Sequence, residues 1–218
     1  PFIIEEKNLA YKALNLLKKN FKIDKEVTIK IKKNIPLGSG LGGGSSNAAT
    51  VLHVLNKFWK INLNKSDLKD LGVSLGSDIP IFIEGEAKKA KGRGEIFSKT
   101  HLKEEVILLI MPNCNISTKK AFEEIKQNDF KESKNKEDFN FFEKWARENF
   151  KEVNDSFNWI EIFKKGNLSG TGSAIYAKFN SFEEASKIMD NAPENGKYLI
   201  TRSINKSPLI KELNDIGV

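Results

Sequence analysis

Between Pro36 and Ser46 the sequence reads PLGSGLGGGSS, and five of the seven residues from Gly38 to Gly44 are glycine. Glycine loses more backbone freedom on folding than any other residue, so a cluster of them needs a reason. Glycines admit positive φ and let successive backbone N–H groups point into one concavity. A helix beginning directly behind them adds a partial positive charge. Together these features make a phosphate site, and Ser45 and Ser46 put hydroxyls at its mouth. Taken as residues alone, the stretch also suits a flexible hairpin or a capped helix start. The P-loop pattern fails, because Gly44 is followed by Ser45 and Ser46 with no lysine. The dinucleotide spacing G-x-G-x-x-G is met by Gly38, Gly40 and Gly43, but Pro36 interrupts its entry and a triple glycine exceeds its needs.

Other residues have types suited to chemistry. Asp78, in GSDIP, offers a carboxylate for taking a proton from an alcohol, or a cap for a turn before Pro80. Ser169, Gly170, Thr171 and Gly172 form a second glycine turn ahead of a strand over Ala174–Phe179. Phe122 is either a core residue on an amphipathic helix or a stacking surface. His53 and His101 lack the company a metal site needs. Cys114 is the single cysteine, which excludes an internal disulfide and suits a reducing cytoplasm.

The elements that position these groups follow from periodicity and capping. EEKNLAYKALNLLKKNF reads as an amphipathic helix with Leu9, Ala13, Leu16 and Leu17 on one face. EVTIKIKKNIP alternates Val27, Ile29 and Ile31 with polar residues, as a half-buried strand does, and Pro36 ends it. A helix from about Ser46 to Lys60 is expected, capped by Ser45, Ser46 or Asn47. A shorter helix capped by Ser66 follows, and DIPIFIEGEAKKAKGRGEIF reads as strand, turn, strand. EVILLIMPN is a buried strand, STKKAFEEIKQ a helix capped by Ser117, SFEEASKIMDNA a helix and GKYLITRSI a last strand. Residues 128 to 155 read as loop and exposed helix, with KESKNKED a solvated loop.

The 218 residues suffice for one large domain or two small ones. A net charge of +7 spread over scattered lysines lacks the aromatic-basic stripe of a nucleic-acid binder, yet attracts phosphorylated ligands. No apolar run is long enough to cross a bilayer. Pro1-Phe2-Ile3-Ile4 meets Glu5 and Glu6 at once, so no signal peptide is expected.

The glycine stretch resembles the ATP-binding loop of the GHMP kinases, the family of galactokinase, homoserine kinase and mevalonate kinase. GGGSS resembles one branch, whose acceptor is a cytidyl-linked methylerythritol of the non-mevalonate isoprenoid pathway. LNKFWKINLNKSDL, LGSDIPIFIEGEAKKAKGRGE, MPNCNISTKKAF and LSGTGSAIYA resemble the same branch in order and spacing, from about Asn8 to the end. The resemblance implies an α+β GHMP kinase fold. Its first domain, an α/β sandwich incomplete here, would span residues 1–102, and its second, ferredoxin-like, residues 103–218. It implies ATP held by Pro36, Gly38, Gly40, Leu41, Gly42, Gly43, Gly44, Ser45 and Ser46, Mg²⁺ at Ser46, and Asp78 as catalytic base. It implies substrate contacts from Thr118, Phe122, Ser169, Gly170, Thr171 and Gly172, with Phe122 on the cytosine. The implied partners are ATP and a small molecule, with no nucleic acid or membrane, in a monomer or homodimer. Two departures stand out. Asn47 replaces a more usual Asp, and the family's first motif, a Lys-bearing strand followed by Tyr-His, belongs upstream of Pro1. A GHMP kinase of homoserine or mevalonate type, and a non-catalytic nucleotide module, are the alternatives.

Overall fold

Asn8 starts the first long helix by accepting a hydrogen bond from the Ala10 amide at 3.0 Å. The computed structural model describes residues 5–91, 96–125 and 140–215. The chain divides into two units. One comprises Pro1–Lys32, Gly42–Lys103 and Ile204–Val218, the other Lys33–Leu41 and Glu104–Ser203.

In the first unit, α1 (Leu9–Phe21) buries Ala10, Ala13 and Leu17, a helical spacing of three and four. They meet Ala48, Ala49, Leu52 and Leu55 of α2 (Gly43–Phe58) in one core. The next helix, α3 (Lys65–Leu75), is capped by Asn64 rather than Ser66. The Asn64 side chain accepts from the Asp67 amide while Asp67 accepts from the Asn64 amide, a reciprocal capping box. The strand expected from Asp78 is instead a helix, α4 (Ile79–Glu84). Pro80 suits a first helical turn and Gly85, at φ 66°, suits the end. Ile79 and Ile83, one helical turn apart, are fully buried, while Ile81, which a strand would place on the same face, is only partly buried. The expected hairpin survives further on as β1 (Lys88–Lys91) paired antiparallel with β2 (Ile96–Lys99), and its turn lies outside the described residues.

The strand expected over Val27–Ile31 does not form. No ladder bond reaches it among the described residues, and Ile29 and Ile31 stay 38 % and 39 % exposed. Alternation marks a segment that fits a sheet, but a strand exists only where a neighbour supplies the ladder.

His53 of α2 is half-buried, with Nε2 3.0 Å from the Ile83 carbonyl of α4. Burial holds its pKa below the ordinary 6.5. The folded state therefore resists the proton that the unfolded chain accepts. Its contribution is fully present above about pH 6.5 and is lost as pH falls below that value. Stability should decline from pH 7.5 to 5.5, and His53→Gln should flatten that slope in denaturant titrations. An unchanged slope would remove His53 from the pH dependence.

In the second unit, β3 (Val106–Pro112) is central, with β5 (Ile175–Phe179) on one side and β6 (Gly196–Arg202) on the other. The two-residue β4 (Asn167–Leu168) flanks β5, giving the antiparallel order β4-β5-β3-β6. This is the ferredoxin-like order that the resemblance implied. Leu108 and Ile110 of β3 and Ile175 of β5 are fully buried in a core with Phe157 and Ile160. Ser117 caps α5 (Thr118–Glu124), as expected. The stretch read as loop and exposed helix is, over its described part, helix with a core face. α6 (Phe141–Asn149) buries Phe142, Trp145 and Ala146, and α7 (Lys151–Ile160) buries Val153, Phe157 and Ile160. The run from 131 to 138 lies outside the described residues. α8 (Phe182–Met189) follows β5 behind its Ser181 cap. The last helix, α9 (Pro208–Asp215), belongs to the first unit and was missed, although a serine followed by Pro208 at its first position is a helix-start signal.

Candidate functional site

The glycine loop passes from one unit into the other between Leu41 and Gly42. Its first half belongs to the second unit and is held there by backbone bonds. The Gly38 carbonyl accepts from the Ile116 and Ser173 amides at 3.2 and 3.1 Å, and the Ser39 carbonyl accepts from the Ala174 amide at 2.9 Å. Ser39 is buried and donates its hydroxyl to the Pro36 carbonyl at 3.0 Å. Gly40 stands at φ 71°. Its carbonyl accepts from the Ser169 hydroxyl at 3.0 Å, and a Cβ there would lie 2.1 Å from the Ser169 carbonyl oxygen. Glycine at 40 is thus required twice, by its φ and by the approach of the second glycine turn.

The second half opens α2. Gly42, at φ 66°, occupies the N-cap position, and the helix begins at Gly43 rather than at Ser46. No side chain caps it. The expected capping by Ser45, Ser46 or Asn47 is therefore corrected, because left-handed Gly42 turns the chain into the helix three residues earlier. The Ser46 amide donates to the Gly42 carbonyl at 2.8 Å. Among the described residues the amides of Gly43, Gly44 and Ser45 have no partner, nor do the hydroxyls of Ser45 and Ser46. Gly43 and Gly44 do not have positive φ. A Cβ on Gly44 would meet only the Leu9 methyl, at an ordinary 3.4 Å. Backbone conformation thus explains three glycines of the loop and leaves these two unexplained.

Asp78 lies in the same unit, exposed, at the N-cap position of α4. Among the described residues its side chain makes no capping bond and accepts only from the Ser77 hydroxyl, at 3.3 Å. The turn-capping role open to it in sequence is not used. Two contacts fasten α4 to α2. His53 bonds Ile83, and the Phe82 ring fills the space beside Gly42, where a Cβ would fall 2.5 Å from Cζ. Phe82 was not singled out in sequence, since an apolar residue after IPI signals core and nothing more.

In the second unit the Thr118 and Thr171 hydroxyls lie 3.3 Å apart, joining α5 to the second glycine turn. Gly170 and Gly172 stand at φ 56° and 90°. Phe122 is 59 % exposed, its ring held edge-to-face on Phe142 at 4.9 Å. It is therefore a presented aromatic surface rather than a core residue. Thr118, Phe122 and Ser169–Gly172 are gathered in this unit. Among the described residues no group of three or more His, Cys, Asp or Glu could hold a metal ion.

The model of the GHMP kinases N terminal domain matches residues 8–86. A 4-diphosphocytidyl-2-C-methyl-D-erythritol kinase of Haemophilus ducreyi is 39 % identical, over 97 % of this chain and 77 % of the relative. The protein of the same description from Psychromonas ingrahamii is 36 % identical, over 94 % and 74 %. Among solved structures, a 4-(cytidine 5'-diphospho)-2C-methyl-D-erythritol kinase superposes with a TM-score of 0.78 at 24 % identity, covering 93 % of this chain and 80 % of that one. A mevalonate kinase superposes with a TM-score of 0.65 at 16 % identity, covering 89 % and 74 %. The structural likenesses speak to the fold.

Proposed function

The chain belongs to the 4-diphosphocytidyl-2-C-methyl-D-erythritol kinase family of the GHMP kinases, and we propose that it moves the γ-phosphoryl of ATP onto the 2-hydroxyl of that cytidyl-linked alcohol. One observation carries the phosphate end. The first turn of α2 offers three amides and two hydroxyls that have no partner among the described residues, behind glycines that backbone geometry does not demand. Close approach of a phosphate explains such glycines, because any Cβ would stand between the amides and the anion.

In this reading the loop from Pro36 to Ser46 holds the ATP phosphates. Asp78, its carboxylate not engaged in capping, accepts the proton of the attacking hydroxyl as its oxygen bonds to phosphorus and ADP leaves. Phe122 offers its exposed face to the cytosine, and Thr118 with Ser169–Gly172 lines the acceptor. The Ser46 hydroxyl fits Mg²⁺, which takes oxygen ligands and draws several of them from phosphates. When bound, the ion offsets phosphate charge. The domain division proposed is residues 1–102 and 103–218. No helix among the described residues is long and apolar enough to cross a membrane. The cytoplasm is the proposed compartment, on the strength of the single cysteine.

The acceptor is tested by offering the natural full chain ATP with the cytidyl-linked methylerythritol, homoserine or mevalonate in turn. Phosphorylation of the first, at least about 100-fold above the others in kcat/KM, is expected; the difference corresponds to about 2.7 kcal/mol. Preference for homoserine or mevalonate would move the chain's activity to another branch of the superfamily.

A further inference from the structure

Asn140 has no part in the reaction just described, yet its side chain makes three hydrogen bonds. Its Nδ2 donates to the Leu168 carbonyl at 3.1 Å and to the Gly170 carbonyl at 2.7 Å. Its Oδ1 accepts from the Phe142 amide at 3.0 Å and so caps α6. Both amide hydrogens of one side chain thus span the entry and the middle of the second glycine turn. That turn contacts the first half of the glycine loop. The Ser169 hydroxyl donates to the Gly40 carbonyl, and the Ser173 and Ala174 amides donate to the Gly38 and Ser39 carbonyls. Glu143, one helical turn beyond Asn140, faces the Leu168 backbone amide, and burial pushes its carboxyl above the usual range.

We propose that Asn140 is a positioning residue, clamping the Ser169–Gly172 turn onto α6 and thereby fixing the backbone of Gly38–Gly40. Residues with positive φ, such as Gly170 and Gly172, need outside support to hold one conformation. A side-chain amide that caps a rigid helix with its oxygen and grips the turn with its nitrogen supplies that support.

The proposal rests, for its effect on nucleotide, on the reading of Pro36–Ser46 as the phosphate loop. Asn140→Asp and Asn140→Ser each keep an oxygen to cap α6 but lose the two N–H donors that grip the turn; Asp adds repulsion against two carbonyls, and a serine hydroxyl replaces one donor at most. In the natural full chain, the amides of Gly172, Ser173 and Ala174 should exchange with solvent at least about tenfold faster in both variants. The dissociation constant of ATP should rise about tenfold, with the melting temperature little changed. Unchanged exchange in both variants would overturn the clamp, since a residue that merely caps α6 would behave so. Faster exchange with unchanged ATP affinity would support the clamp and count against the phosphate-loop reading.

Discussion

Replacing Asp78 by Asn in the natural full chain is expected to lower turnover by about 10²–10⁴-fold while leaving ATP affinity close to its starting value. Asn keeps the size and one oxygen but cannot take a proton at neutral pH. The loss corresponds to about 2.7–5.5 kcal/mol of transition-state stabilisation. Little else should change, because Asp78 is exposed and caps nothing. Its side-chain partner among the described residues, the Ser77 hydroxyl at 3.3 Å, can bond an amide oxygen equally well. Steady-state kinetics and calorimetric titration with ATP check both halves. Near-normal turnover would assign the base elsewhere, and a large loss of ATP affinity would make Asp78 a nucleotide-binding group.

The second large effect comes from a pair of substitutions in one loop. Gly40→Val should destabilise the chain by at least about 3 kcal/mol, because a β-branched residue resists positive φ and overpacking adds to that cost. Its Cβ would sit 2.1 Å from a backbone carbonyl oxygen, which cannot swing aside as a flexible side chain can. Gly43→Val should behave oppositely. Gly43 is the first residue of α2 without positive φ, and valine is a better helix former than glycine, so the melting temperature should hold. ATP affinity should fall by at least about tenfold, or 1.4 kcal/mol, as the side chain blocks the amides. Thermal melts beside ATP titrations separate the two. Loss of stability with unchanged affinity in Gly43→Val would make the loop a structural turn.

The contrast between Gly40 and Gly43 also shows what was legible in the sequence. The glycine cluster, Asp78 and the second glycine turn stand out by type, and the resemblance gave them roles. Sequence could not divide the glycines into those demanded by the backbone and those left over, since that depends on which chain passes close by. The strands EVILLIMPN and GKYLITRSI were legible because clear caps and turns flank them, while the ferredoxin-like arrangement came from the resemblance alone. The segment 79–84 was misread because IPIFI is short and apolar, and such a run fits a buried helix as well as a strand. Val27–Ile31 was misread for the opposite reason, because its pattern suits a sheet and nothing local says whether a partner strand is present. Asn140 passed unnoticed because an asparagine before two phenylalanines signals a helix cap and carries no sign of a second task 28 residues on.

The central claim is that the amides opening α2 receive the phosphates of ATP. It is tested most directly by titrating the ¹⁵N-labelled natural full chain with ATP and following the amide resonances and exchange rates of Gly43, Gly44 and Ser45. The account predicts that these three shift and exchange more slowly as nucleotide saturates, since each gains a partner that it lacks among the described residues. Saturable ATP binding that leaves all three unmoved would contradict it.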